Sequence, residues 1–178
     1  MKVFLIIGIS LIIATRLVTA NILSQPIVQP TMGSLPTPVT YPAFLADQPL
    51  DSVVDRWGMY NRECVSYTAW KVQSTFHDMP NWSDYGQTLI PDADNWVTLA
   101  QQSNIPVGTT PQVNSVAIAM PGTLIGSDWV AGPVGHSMWV NAVNPDGTIL
   151  VSQYNLDDDG LYSTMTIPAS GLTYIYFN

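Results

Sequence analysis

The sequence of 178 residues is short of charged side chains, and above all of basic ones. Only 10% of its residues are charged, and five lysines and arginines stand against thirteen acidic residues, for a formal net charge of −8. Binding to nucleic acid requires clustered Lys and Arg that neutralise phosphates. The composition therefore argues against a nucleic-acid partner and against a permanent electrostatic hold on an anionic surface.

Cysteine and histidine are also scarce. The chain has one cysteine, Cys64, and two histidines, His77 and His136. A single cysteine excludes an intramolecular disulfide, and an unpaired thiol in an exported domain is unusual. Two interpretations stay open from the count alone: Cys64 is a small buried apolar residue, or it is a nucleophile.

The first 42 residues do not have the composition of a folded domain. Residues 1–20 place Lys2 before an apolar run and small residues before a candidate cleavage point after Ala20, which is the layout of a signal peptide. The apolar run is short for a membrane span of about 20 residues, although Arg16 leaves an uncleaved N-terminal anchor as the alternative. Residues 21–42 contain five prolines and no charge, which predicts an extended linker. We expect one domain over residues 43–178.

Helices are predicted in the first half of this domain. Residues 51–57 suggest a short helix before Gly58. The apolar residues Val65, Ala69, Val72 and Phe76 recur at helical spacing, which predicts a helix with Cys64 in its first turn. A second helix should begin at Asp92, which can cap it, and should bury Trp96, Leu99 and Ala100.

Strands are predicted in the second half. Five segments are rich in β-branched and aromatic residues: 115–120, 137–143, 149–154, 162–167 and 173–177. Residues 144–147 (Asn-Pro-Asp-Gly) form a strong turn signal, and residues 157–160 form a second hairpin connection, with calcium binding as the less favoured interpretation of its three aspartates. Helices followed by a meander of antiparallel strands predict an α+β domain.

Cys64 and His136 are the candidate nucleophile and base. Unpaired N–H groups and the dipole at a helix start favour a thiolate, and the same groups can stabilise an oxyanion. We expect Glu63 to face solvent beside Arg62. His136 follows Gly135 and opens a strand, from which it can reach the helix start, whereas His77 is expected at the surface.

An imidazole base needs a partner that fixes its tautomer. The strand after the 144–147 turn runs back beside the His136 strand, and Gln153 and Asn155 point to the same side because they are two residues apart. Either amide oxygen can accept a hydrogen bond from the ring. We expect the two residues to share this role.

Several sequence blocks resemble one family. WGMYNRECVSYTAW resembles the nucleophile block of CHAP domains, the cysteine- and histidine-dependent amidohydrolases and peptidases, and DADNW resembles their second helix. TPQVNSVAIA and GHSMWVNAVNPDGTILVSQYN are similar to the strand before the histidine and to the histidine hairpin. The resemblance runs from near Trp57 to the C-terminus. It departs from the family at Gln153, where many members carry a glutamate.

The resemblance implies a papain-like α+β fold, with N-terminal helices packed on an antiparallel sheet. It implies a secreted hydrolase of peptidoglycan that needs no metal or cofactor and cuts amide bonds through a Cys64 thioester, with Cys64, His136, Asn155 and Gln153 in the site. The bond is either muramoyl–L-alanine or one in the wall peptides. We expect a monomer without stable membrane insertion. The alternatives are an inactive wall-binding or surface-antigen module, and a peptidase of the related NlpC/P60 type.

Overall fold

The computed structural model describes residues 41–82 and 91–178. The predicted signal peptide and nearly all of the predicted linker lie outside the described residues, as do residues 83–90. Among the helices of the described segments, none is long and apolar enough to cross a membrane.

In the described residues, three α-helices precede all of the strands. They are α1 (Ala43–Ala46), α2 (Cys64–Phe76) and α3 (Trp96–Gln102), the last preceded by a 3-10 turn at Ala93–Asn95. The two predicted helices are confirmed, since α2 buries Val65, Ala69 and Val72 while α3 buries the predicted Trp96, Leu99 and Ala100. The predicted capping by Asp92 is wrong, because its side chain makes no cap hydrogen bond and the 3-10 turn comes between it and α3.

The predicted helix at residues 51–57 is also wrong. Val54 instead forms an isolated antiparallel bridge with Tyr60. Oδ1 of the buried Asp55 accepts hydrogen bonds from the backbone N–H groups of Trp57 (2.8 Å) and Met59 (3.0 Å). An aspartate that bonds nearby backbone groups in this way stabilises a turn at the expense of a helix.

The strands of the described residues form one large sheet and one hairpin. They are β1 (Val107–Gly108), β2 (Val116–Ala119), β3 (Leu124–Ile125), β4 (Trp129–Val130), β5 (His136–Val143), β6 (Thr148–Tyr154), β7 (Tyr162–Pro168) and β8 (Thr173–Ile175). The large sheet has the order β1-β8-β2-β5-β6-β7, and β3 pairs with β4. All pairs are antiparallel. The five predicted strands are confirmed, while β1, β3 and β4 have two residues each and are too short for an alternating pattern to reveal.

The large sheet is covered on both faces. Val116 and Ile118 of β2 pack into one apolar cluster with α2 and α3, and the alternate residues Ala117 and Ala119 pack into a second cluster. Ile125 of β3 belongs to the second cluster, so the β3–β4 hairpin helps to cover that face. This arrangement of helices on an antiparallel sheet confirms the predicted α+β class.

Buried hydroxyl groups fix α2 against the middle of the sheet. The Tyr67 hydroxyl donates a hydrogen bond to Oγ of Ser152 on β6 at 2.8 Å. The hydroxyls of Thr68 and Ser137 are 3.0 Å apart and share another hydrogen bond. Such bonds inside the protein are directional as well as stabilising. The first turns of α2 are therefore held over the beginning of β5 and the end of β6.

Candidate active site

Cys64 is the first residue of α2, as predicted. Its side chain is buried, with 7% of its surface exposed. No side-chain hydrogen bond caps α2 at its start, where Glu63 has an extended backbone conformation. The backbone N–H of Cys64 acts to lower the pKa of the Glu63 carboxyl group. The partial positive charge of the N–H groups in the first turn favours an anion at this position.

His136 is the first residue of β5 and pairs with Ala119 of β2. The backbone turns into β5 at Gly135, which has a φ of +72°. A Cβ atom on Gly135 would lie 2.8 Å from the carbonyl oxygen of Ala119 and 3.1 Å from the backbone nitrogen of Asp94. Only glycine fits this approach. The predicted turn before the histidine therefore places a buried imidazole at a fixed point at the start of β5.

The pKa values of Cys64 and His136 move in opposite directions. Burial acts to raise the pKa of the Cys64 thiol, but the charge of His136, its hydrogen bond and further hydrogen bonds from Ser137 outweigh burial and lower it. Burial acts to lower the pKa of His136, but the charge and hydrogen bond of Cys64, followed by Gln153 and Glu63, raise it. The arrangement therefore favours a thiolate beside an imidazolium.

Gln153 hydrogen-bonds the imidazole. Its Oε1 lies 2.9 Å from Nε2 of His136, and its own side chain is completely buried. The amide nitrogen of Gln153 donates to Oγ of Ser163 (3.3 Å) and to Sδ of Met165 (3.1 Å). Since the nitrogen is occupied on that side, the oxygen faces the ring and must accept the Nε2 hydrogen. This leaves Nδ1 as the nitrogen available to Cys64.

The structure places Asn155 elsewhere, which corrects the expectation that both amides contact the ring. Asn155 has a φ of +59° at the end of β6, so its side chain leaves the alternation that a strand imposes. Its Nδ2 donates to Oε1 of Glu63 at 2.8 Å, and its Oδ1 accepts from the backbone N–H of Gly160 at 2.6 Å. Of the two amides, Gln153 is the one that bonds His136 in the described part of the chain.

Glu63 does not face solvent as expected. It is partly buried, and it lines a cleft together with Cys64. Burial raises the pKa of its carboxyl group, the hydrogen bond from Asn155 lowers it, and the charge and hydrogen bond of Asp51 raise it further. Glu63 and Asp51 thus form a pair of interacting carboxyl groups in the cleft wall.

The cleft opens on the Cys64 side of α2. Its further lining includes Tyr60, Asp92 and Val134, which come from segments far apart in the sequence. His77 is exposed at the C-terminal end of α2, away from Cys64, as the sequence predicted. An open cleft at an activated thiol can admit a carbonyl compound to the sulfur.

Sequence reasoning missed Ser137. This buried residue follows His136, and both its backbone N–H and its side chain act to lower the pKa of Cys64. A serine inside an apolar strand carries no pattern that marks it. Its position beside the nucleophile follows from how α2 packs on β5.

Comparison with known proteins places these features in a family. The CHAP domain model matches residues 54–155. The probable autolysin LDP of Staphylococcus aureus is 34% identical over 80 residues, which is 45% of this chain and 25% of that protein. An N-acetylmuramoyl-L-alanine amidase domain-containing protein of the same species is 30% identical over 109 residues, which is 58% of this chain and 17% of that protein. The chain thus spans a quarter or less of the length of these relatives.

A solved structure shares the fold. The crystal structure of an N-acetylmuramoyl-L-alanine amidase from Staphylococcus aureus superimposes with a TM-score of 0.52 at 24% identity, over 72% of this chain and 34% of that one. The family model covers more than half of this chain and includes Cys64, His136 and Gln153, which confirms the resemblance seen in the sequence. On the strength of that match, this chain belongs to the CHAP domain family.

Proposed function

We propose that this protein is a cysteine hydrolase that cuts amide bonds in peptidoglycan. The observation that supports it most is the junction of Cys64, His136 and Gln153, where a buried histidine contacts an amide through Nε2 and an activated thiol on its other side. A cysteine nucleophile, a histidine base and an orienting amide are sufficient for acyl transfer without a metal ion.

The reaction begins with attack of the Cys64 thiolate on the carbonyl carbon of the scissile amide. The N–H groups at the start of α2 stabilise the resulting oxyanion. The imidazolium of His136 then gives its proton to the amide nitrogen as the C–N bond breaks, which releases an amine and leaves a thioester on Cys64. Water attacks the thioester while neutral His136 takes its proton. A carboxylic acid leaves and gives its proton to solvent, and the thiolate–imidazolium pair is restored.

The names of the relatives support peptidoglycan as the substrate. An autolysin and an amidase domain-containing protein are among them. Two bonds remain candidates: the one between muramic acid and L-alanine, which an amidase cuts, and a peptide bond within the wall peptides, which an endopeptidase cuts. Both give an amine and a carboxylate through the same thioester.

The test is to incubate the protein with purified sacculi and to identify the released fragments by mass spectrometry. New amino termini on L-alanine would identify an amidase, and new termini within the peptides an endopeptidase. Binding to sacculi without any fragment would contradict the proposal and favour the inactive wall-binding module. Cys64→Ala, which keeps the cleft but lacks the thiol, is the matched control.

We also propose that the protein is exported and that residues 43–178 form its catalytic domain after a signal peptide (1–20) and a linker (21–42). The layout of the first 42 residues supports this organisation. N-terminal sequencing of the protein outside the cell should give Asn21 as the first residue. A membrane-bound form that begins at Met1 would indicate an anchor.

A further inference from the structure

The group that bonds Nε2 of His136, the amide of Gln153, is neutral and brings no negative charge to the imidazolium. Its amide oxygen orients the ring, but a full charge on His136 inside the protein is costly unless an anion lies close. The thiolate supplies that anion only until it attacks the substrate. After attack, the imidazolium must persist until it protonates the leaving amine. Another carboxylate near His136 would stabilise it through that step.

The chain has a single glutamate, and it is the residue immediately before the nucleophile. We propose that Glu63, held by Asn155, is a positioning residue that supplies a negative charge close to the His136 imidazolium. The inference rests on the proposed function, since it assigns Glu63 a part in the same reaction. It also gives Asn155 a role: Asn155 acts on His136 through the carboxylate that it holds.

A chain of hydrogen bonds fixes the Glu63 carboxylate. Asn155 Nδ2 donates to Oε1 of Glu63 at 2.8 Å, and the Asn155 Oδ1 atom is in turn held by the backbone N–H of Gly160 at 2.6 Å. Nε of Arg62 donates to the carbonyl oxygen of Gly160 at 2.8 Å. The connection between β6 and β7 is therefore tied to the two residues that precede Cys64.

Gly160 makes this contact possible. Its φ is +63°, and a Cβ atom there would lie 3.2 Å from the Arg62 guanidinium and 3.0 Å from the side chain of Leu50. The positive φ favours glycine at this position, whereas both contacts are with the ends of flexible side chains that can move. The backbone conformation at Gly160 directs its N–H to Asn155, which in turn holds the Glu63 carboxylate.

The hydrogen bonds bring Glu63 close to the ring. Glu63 immediately precedes Cys64. Its carboxylate bonds Asn155, which lies two residues after Gln153. The side-chain oxygen of Gln153 is 2.9 Å from His136 Nε2.

The charged groups around His136 agree with this placement. Cys64 and Glu63 are the charged groups that raise the pKa of His136, with Gln153 adding a hydrogen bond. Burial raises the pKa of Glu63 above its usual range, and the charge and hydrogen bond of Asp51 add to this effect. A raised carboxyl pKa means that the charge is lost as the pH falls and is fully present on the alkaline side. That is the side on which the imidazolium is otherwise lost.

The test is the titration of His136 by NMR in a Cys64→Ser background, which removes the thiolate. Glu63→Gln keeps an oxygen acceptor for Asn155 and removes the charge, so the pKa of His136 should fall relative to the background protein. Asp128→Asn removes an exposed carboxylate on the β3–β4 hairpin and should leave the titration of His136 unchanged. If Glu63→Gln also leaves it unchanged, Glu63 is only structural and the inference is overturned.

Moving the charge tests the inference more sharply. Gln153→Glu places a carboxylate on the Nε2 side of the ring. Combined with Glu63→Gln, it should restore the titration of His136. In the protein with Cys64, Glu63→Gln should lower kcat/KM at pH 8 by roughly threefold to tenfold, and the double variant should recover most of that loss. A double variant that titrates like Glu63→Gln alone would contradict the inference.

The NMR titration of His136 does not require that the protein hydrolyse its substrate. If the wild-type protein releases no fragment from sacculi, the proposed function fails, while the titration of His136 still decides the role of Glu63. Conversely, if the enzyme is active but Glu63→Gln does not change the pKa of His136, the proposed function stands and this inference is wrong. His77, at the other end of α2, provides an internal reference signal in every spectrum.

Discussion

His136 donates its Nε2 hydrogen to Oε1 of Gln153 across 2.9 Å, with both side chains buried. A glutamine oxygen can only accept, so the bond fixes the neutral ring in the tautomer that carries its hydrogen on Nε2. Nδ1 is then free to take a proton from Cys64. The amide can orient the ring without adding a charge, which separates orientation from electrostatic stabilisation in this site.

Removing the thiol should abolish catalysis and spare the fold. We expect Cys64→Ala to lower fragment release from sacculi by about 10⁴-fold or more, because no other group forms the thioester. The side chain is small and the change leaves little empty volume, so Tm should change by only a few degrees. Turbidity of a sacculus suspension and thermal unfolding measure the two effects. Release at the wild-type rate would contradict the assigned nucleophile.

The Cys64 thiol should react as a thiolate at a lower pH than an ordinary cysteine does. As pH rises through the lowered pKa of Cys64, the rate of alkylation by iodoacetamide should rise, and the single cysteine makes the signal specific. In His136→Ala, the imidazolium no longer opposes the effect of burial, which raises the pKa of the Cys64 thiol. The thiol pKa should then rise, and alkylation at pH 6.5 should slow by about tenfold or more. Equal rates in the two proteins would show that His136 does not activate Cys64.

Hydrolysis should also decline on the alkaline side. As pH rises through the raised pKa of His136, the imidazolium that protonates the leaving amine is lost. The pH profile of kcat/KM should therefore be bell-shaped, with a lower limb from Cys64 and an upper limb from His136. A profile that keeps rising through the alkaline range would contradict an acid role for His136.

Gln153 and Asn155 should have different effects on the reaction. Gln153→Ala removes the group that sets the tautomer, and we expect kcat to fall by about 10²–10⁴-fold. Asn155→Ala leaves the tautomer in place but releases Glu63. We therefore expect a smaller loss of kcat, with the alkaline decline of activity beginning at a lower pH. Steady-state kinetics across pH distinguish them. A large loss of kcat in Asn155→Ala, together with no loss in Gln153→Ala, would contradict the assignment of Gln153 as the orienting group.

Gly135 should be unable to carry a side chain. In Gly135→Ala the positive φ costs about 1–2 kcal/mol, and the Cβ contact at 2.8 Å from the Ala119 carbonyl adds about 1–3 kcal/mol and displaces His136. Gly147→Ala is the matched control, since Gly147 has a φ of +83° and nothing within 4 Å of the added atom. Urea unfolding should show the larger loss for Gly135→Ala. Equal losses would mean that the close approach is unimportant.

Much of the architecture could be predicted from local pattern. The helical spacing of Val65, Ala69 and Val72 predicted α2 with Cys64 at its start, and the turn signal at residues 144–147 predicted the β5–β6 hairpin. These predictions were correct because each element depends on residues only a few positions away in the sequence. The predicted helix at residues 51–57 failed for a related reason: the Asp55 side chain bonds the backbone of the next residues and stabilises a turn that composition alone does not distinguish from a helix.

The sequence by itself determined the α+β class, the position of Cys64 at a helix start and the position of His136 after a glycine turn. Tertiary structure alone decided which polar group each of them meets. Gln153 was expected to share its role with Asn155, yet Asn155 turns away at a positive φ and holds Glu63, a residue 92 positions earlier. Strand alternation fixes the side of the sheet on which a residue lies. Its hydrogen-bond partner depends on how distant segments pack, because a buried polar group bonds whichever acceptor or donor packing brings within reach.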